Sequence, residues 1–260
     1  MPNAPALRLP DAVNKDYSFY DIQAHGVWGL IGDLQMPFHD RTTVELFVDR
    51  CVKEDVKGVI LNGDIADFHQ ISRFDKRAGD PSYAEEIESV RGFLAWLRYK
   101  LGNKKRIVFK EGNHEERLYS YLYRKCPELW DLEELTLASL LHFSKHGIEH
   151  VADKRVIKFG EHLHIIHGHE YAFSIQNPVN PARGLFLRSK AIALTNHFHQ
   201  TSEHTEPTLA GVQLACWSVG CACGLRPLYM PLNKWNNGFA MLEANPLVVR
   251  NYRVIAGKVV

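Results

Sequence analysis

The chain has 260 residues, 45% of them apolar and 23% charged, which is ordinary globular composition and enough for one large domain with a sizeable core. With 31 basic residues against 30 acidic ones the formal charge is +1, so no whole-chain field would draw the protein onto nucleic acid or an anionic membrane, although a local basic groove stays open. Five cysteines without a secretory leader point to a reducing, cytoplasmic setting, and no apolar run reaches the ~20 residues that a membrane-spanning helix needs.

Residues 1–26 are rich in Pro, Asn, Asp and Ala without a helical or strand period, and read as an irregular N-terminal arm before a single domain at 27–260. VWGLIGD is then a short apolar run ending in Gly32-Asp33, TTVELFVDRCVKE has helical spacing, and KGVILNGD is a second apolar run ending in Gly63-Asp64. A polar stretch with aromatics, FHQISRFDKRAGDPSY, leads into the amphipathic AEEIESVRGFLAWLRYKL and a third strand, KRIVFKEGNHE. Each of these strands stops where potential ligands begin, and open α/β sheets gather ligands beyond the carboxyl ends of their strands. In the second half HLHIIHGHE, IALTNHFHQ and VQLACWSVG repeat the habit, and FAMLEANPLVVRNYRVIAGKVV reads as a closing hairpin.

The strand ends collect Asp33, Gln35, Asp64, Asp67, Asn113, His114, His167, His169, His197 and His199, all oxygen or imidazole donors. Such a set suits Mn, Fe or Zn, whereas Ca prefers oxygen alone and structural Zn prefers cysteine. Two cations ~3.5–4 Å apart can share a carboxylate and a water, acidify that water and clamp a phosphate, so no protein nucleophile is needed.

The ordered series GDLQ, GDIAD, GNHE, HGH and NHFH, over about residues 31 to 199, resembles the five-block signature of the calcineurin-like metallophosphoesterases. The resemblance implies an α/β fold, a four-layer α/β/β/α sandwich, with two divalent transition-metal ions. Manganese is favoured, with Fe, Zn or Mg as alternatives. It implies that Asp33, Gln35, Asp64 and His199 hold one metal and that Asp64, Asn113, His167 and His197 hold the other, with Asp64 bridging. His114 matches the histidine that binds phosphate and protonates the leaving oxygen, and Asp67 the carboxylate that orients it. The implied reaction is hydrolysis of a phosphoester by a hydroxide bridging the metals.

Two positions depart from the pattern. Gln35 stands where histidine is usual, which should weaken and harden the first metal site and shift it toward Mn. Asn196 stands where glycine is usual; asparagine tolerates a left-handed backbone, so the turn is expected to survive. The Arg-Gly that phosphoprotein phosphatases carry after the second aspartate is replaced by Phe68-His69, which argues against that branch. GDLQMPFHD and GNHEERL look similar to phage and bacterial members near the repair nucleases, so the expected substrate is a phosphodiester of DNA or RNA. A small-molecule or nucleotide phosphomonoesterase and a non-catalytic metal-dependent binding scaffold are the alternatives, and the oligomeric state stays open.

Other residues have plainer readings. Arg117, three residues after His114, and His39, just beyond the first block, are candidates for substrate contact. His169, Arg73 and Arg188 read as structural or solvated, and Cys216, Cys221 and Cys223 as small buried hydrophobes, since they lack paired C-x-x-C spacing. Tyr229 and Trp235 read as packing under a loop, or as a wall of the substrate cleft.

Overall fold

The computed structural model describes residues 9, 11–12, 17–171 and 179–260. In chain order they form β1 (Tyr20–Ile22), β2 (Trp28–Ile31), α1 (Arg41–Lys53), β3 (Gly58–Asn62), α2 (Tyr83–Leu101), β4 (Arg106–Lys110), α3 (Glu116–Lys125), α4 (Leu137–Leu140), α5 (Phe143–His146) and β5 (Ile148–Val151). There follow β6 (Ile157–Phe159), β7 (Leu163–Ile165), α6 (Pro181–Ser189), β8 (Ala193–Thr195), β9 (Ser202–Pro207), β10 (Gln213–Ser218), β11 (Asn237–Ala244), β12 (Leu247–Ile255) and β13 (Lys258–Val259).

The long helices start and stop where local chemistry requires. Asp40 accepts from the Thr43 N–H to cap α1, and Ser82 and Glu85 close a reciprocal capping box at the start of α2, which ends at Gly102. Along α2 the buried Ile87, Val90, Phe93, Leu94, Leu97 and Leu101 recur at three- and four-residue spacing, giving one apolar face.

One sheet has the order β13-β12-β11-β2-β3-β4-β5, with β2 to β5 parallel, and the other has the order β1-β6-β7-β8-β10-β9. Alternation along the strands makes the layers. Ile31, Leu61, Ile107 and Phe109 pack with the α1 and α2 residues Phe47, Val48, Val90 and Leu94. Trp28, Leu30, Ile60 and Val108 face the other way, onto Phe159, Leu163, Ile165 and Leu194 of the second sheet. Ala182 and Leu185 of α6 pack with Ile166, Ala193 and Cys216. The result is the expected helix, sheet, sheet, helix sandwich. Among the described residues no helix is long and apolar enough to cross a membrane.

One segment differs from its expectation. Tyr20–Ile22, within the stretch read as an irregular arm, pairs in parallel with β6. Ile22 is fully buried between the sheets, and Arg155 donates to the Ser18 and Phe19 carbonyls. A three-residue strand with one inward side chain has no period to read.

Candidate metal centre and substrate cleft

Five loops converge at one edge of the sandwich. The ends of β2, β3 and β4 deliver Asp33 and Gln35, Asp64, and Asn113 and His114; from the second sheet β7 delivers His167 and β8 delivers His197 and His199. Asp33, Gln35, Asp64, His197 and His199 all take positive φ, between 49° and 67°. Non-glycine residues in that region each cost roughly 1–3 kcal/mol and collect where function holds them. The backbone is also packed too tightly for ordinary side chains: a Cβ on Gly112 would lie 2.2 Å from Asp64 Oδ1.

The side chains form two adjoining groups. In the first, His199 Nε2 lies 3.4 Å from Asp33 Oδ1 and 3.5 Å from the Gln35 amide, whose oxygen occupies the same place if the amide is turned over. In the second, His167 Nε2 lies 3.3 Å from Asp64 Oδ2 and 3.3 Å from Asn113 Oδ1, and the donor atoms of Asp64, His167 and His197 all lie within 4.8 Å of one another. Asp33 Oδ1 and His167 Nε2, 3.9 Å apart, join the two.

These positions fit metal ions. Ligands ~2.0–2.2 Å from one cation sit ~3–4 Å from each other, which is the range found here. Asp33 Oδ1 is buried without a hydrogen-bond partner, and donors are oxygen and imidazole nitrogen. Burial opposes charge on His167, yet Asp64 and Asp33 outweigh it and lift its pKa to about 10; the carboxylates create a negative potential that a cation satisfies in place of the proton. Burial, with the charge on His167 adding to it, drops His197 to about 4, leaving it a neutral donor. The Asn62 carbonyl, 2.8 Å from His167 Nδ1, turns Nε2 toward the carboxylates.

His114 stands at the rim. Its peptide N–H donates to Asp64 Oδ1 at 2.8 Å, its Nε2 lies 3.6 Å from Asp64 Oδ2, and its Nδ1 lies 2.9 Å from Asp67 Oδ1 in an off-axis approach. The Arg117 guanidinium reaches His114 Nε2 at 2.8 Å and donates to the Asp67 carbonyl at 2.6 Å.

The sequence model of the calcineurin-like phosphoesterases matches residues 29–215. The chain belongs to that family. Two curated relatives are the Gene 54 proteins of the Mycobacterium phages L5 and D29, each 25% identical over 230 residues, covering 83% of this chain and 88% of theirs. Similar solved structures include Vacuolar Protein Sorting 29 from Cryptosporidium parvum, 14% identical over 90% of this chain and 94% of that one with a TM-score of 0.48. A dimetal phosphatase from Danio rerio is 12% identical over 84% of this chain and 92% of that one, with a TM-score of 0.38. The calcineurin-like phosphoesterases are metal-dependent and in general binuclear; the Asp64, His167 and His197 cluster and the approach of His199 to Asp33 and Gln35 are where this member could hold its metals.

Beside the donor groups a cleft of about 780 Å³ opens, lined by Gln35, Asn113, His114 and Arg117 on the metal side. His39, Phe38, Phe74, Arg77, Arg226 and Tyr229 are among the residues lining the rest, with Asp67, Asp75 and Asp80 beside the arginines. Arg117 and His39, expected near the substrate, are therefore both in the cleft. The Phe74 and Tyr229 rings lie nearly parallel, 11° apart in plane with centroids at 6.4 Å. Trp235 packs edge-on against the His199 ring at 4.2 Å. His169 pairs with Glu116 at 2.9 Å, in keeping with a structural role, and Arg73 lies over the Phe74 ring.

Asn196 corrects one expectation. It does not take a left-handed conformation; the positive φ falls on His197 and His199 instead. Asn196 is fully buried, accepts from Asn62 Nδ2 at 2.9 Å and donates to the Gly220 carbonyl, so its amide ties the two sheets together at the site.

Two carboxylates escaped the sequence reading. Glu115, fully buried, accepts from the N–H groups of Asp64, Ile65, Ala66 and Gly112, and so locks the second metal loop to the third. Glu170 accepts from the N–H groups of His167 and Gly168 and pairs with buried Lys110 at 2.8 Å. Burial opposes its ionisation, but Lys110 overrides it and holds Glu170 at about 2. The fourth position of GNHE was the available signal for Glu115.

Proposed function

We propose that the chain is a two-metal phosphodiesterase acting on nucleic acid. The observation that carries this reading is the cleft of about 780 Å³ beside His114, in which the aromatic side chains of Phe38, Phe74 and Tyr229 stand with Arg77, Arg117 and Arg226, interleaved with Asp67, Asp75 and Asp80. When bound, two divalent cations would activate water and neutralise charge on the phosphoryl oxygens. Asp33, Gln35 and His199 would hold one of them, Asn113, His167 and His197 the other, and Asp64, between the two groups, would contribute to both. The amide at Gln35 favours Mn2+ at the first position.

Arg117 can only donate to His114 Nε2, so that nitrogen accepts in this arrangement; once phosphate draws the guanidinium away, His114 protonates the leaving oxygen from Nε2. Asp67 beside Nδ1 orients the ring from one side, and Arg117 sets it from the other while offering its own charge to phosphate. A diester is favoured over a monoester because a cleft of about 780 Å³ beside the donors is far larger than a single phosphoryl group needs. The five free thiols support a reducing, cytoplasmic setting. The scaffold alternative is disfavoured by His114 and its Asp67 partner, which binding alone does not need.

The test is a substrate panel in manganese: single-stranded DNA, duplex DNA, RNA, cyclic nucleotides and monoesters, with bis-p-nitrophenyl phosphate against p-nitrophenyl phosphate as the simplest pair. Preference for the diester and for a polynucleotide is expected. Faster turnover of p-nitrophenyl phosphate, with the polynucleotides untouched, would replace this reading with the monoesterase.

A further inference from the structure

Two of the five free cysteines lie beside the candidate metal centre. Cys221 and Cys223 are two residues apart, with a bend at Ala222 between them, and both thiols come to the same place beside His199. The chain is pinned there: Cys221 bridges to Asn237, Cys223 bridges to His39, and the Ala222 N–H between them donates to the Asp33 carbonyl. His199 faces this pair with its other nitrogen. Cys223 Sγ lies 3.8 Å from His199 Nδ1, and the ligating atoms of His199, Cys221 and Cys223 all lie within 4.8 Å of one another. Cys221, Cys223 and His199 are 0%, 1% and 4% exposed. His199 Nε2 points to Asp33 and Gln35, so the thiol side of the ring is separate from the donors already described.

We propose that Cys221, Cys223 and His199 Nδ1 form a third cation site, selective for a soft divalent ion such as zinc or cadmium. A tetrahedral zinc with Zn–S ~2.3 Å and Zn–N ~2.0–2.1 Å places its donors ~3.4–3.8 Å apart, within reach of these side chains by small rotations. Hard ions such as Mg2+ and Mn2+ gain little from thiolates, so the site does not compete for them. Cys223 lines the substrate cleft, which gives the ion an entry path and leaves its fourth position to water. The Sγ of Cys221 otherwise meets weak partners, the Asn236 carbonyl at 3.6 Å, Asn237 Nδ2 at 3.8 Å and the Cys223 carbonyl at 4.0 Å, which a metal bond outweighs.

Binding releases both thiol protons to solvent and uses the Nδ1 lone pair, so the remaining imidazole proton sits on Nε2. A protonated Nε2 has no lone pair for a cation held by Asp33 and Gln35. Occupation of the thiol site therefore weakens the first of the two metals, and zinc acts there as an antagonist of manganese.

The test uses the whole chain loaded with manganese and titrated with cadmium, reading the ultraviolet charge-transfer band of cadmium thiolate. The band should saturate at one equivalent per chain with release of part of the manganese. It should vanish in the Cys221→Ser/Cys223→Ser double variant and persist in Cys126→Ser. A band of undiminished size in the double variant, or no band in the wild type at stoichiometric cadmium, overturns the site; cadmium uptake without manganese release overturns the antagonism. X-ray absorption at the cadmium edge of the wild-type chain gives the same decision without relying on a folded variant. A shell containing two sulfurs supports the site, and a shell of oxygen and nitrogen alone overturns it. These readouts are independent of whether the chain hydrolyses any phosphoester.

Discussion

Gln35 stands where the family pattern has histidine, its amide lies 3.5 Å from His199 Nε2, and the proposed first metal takes it as a ligand. An amide oxygen is a harder and weaker donor than imidazole. Activity of the metal-stripped chain should therefore return only with manganese in excess over one equivalent, and zinc should serve poorly. Gln35→His should tighten the first metal, and Gln35→Ala should empty its position without unfolding the chain; an unchanged manganese dependence in Gln35→Ala would remove Gln35 from the ligand set. His114 separates chemistry from metal binding. His114→Ala should keep both metals and lose ~10²–10⁴-fold in rate, the range of a general acid. Comparing nitrophenyl with alkyl esters checks the role, because a good leaving group needs little protonation and should show the smaller loss. The residues that the sequence made legible are those whose chemistry admits few substitutes, carboxylates and imidazoles in ordered blocks. Glu170, Cys221 and Cys223 were not legible because their roles arise from contacts that only the folded loops create. Cys221 and His199 flank the β9–β10 pair in the chain and meet only in the fold.

At the scale of elements, the site depends on loops that no ordinary backbone would adopt. Gly112 approaches Asp64 so closely that an added Cβ would meet its Oδ1 at 2.2 Å and its peptide nitrogen at 2.5 Å. Gly112→Ala should displace the bridging carboxylate, lower bound metal, and cost about 1–3 kcal/mol, the usual range for overpacking. Metal analysis and urea denaturation measure the two effects; retention of both metals would show that the loop adapts. Period decided which elements could be read in advance. The helices α1 and α2 and the strands β2, β3 and β4 are long enough, or apolar enough, to carry a pattern. The strands β1, β6, β7 and β8 have three residues each, too few for alternation to stand out, and β7 and β8 were seen through the histidines that follow them. The helices α4 and α5, with four residues each, are stabilised by packing rather than by propensity, and so left no signal.

For the molecule as a whole, the layered sandwich explains why the donors meet. Two sheets packed face to face bring strand ends from opposite halves of the sequence to one edge, beside the cleft. The central claim is that Asp64 joins two cations whose joint presence makes the chain a hydrolase. The most direct measurement is hydrolysis of bis-p-nitrophenyl phosphate by metal-stripped chain as manganese is added, for the wild type and for Asp64→Ala. Wild-type activity should rise as the second equivalent binds, and Asp64→Ala should stay inactive and hold little metal throughout. Full activity in Asp64→Ala, or wild-type activity complete at a single equivalent, would contradict it.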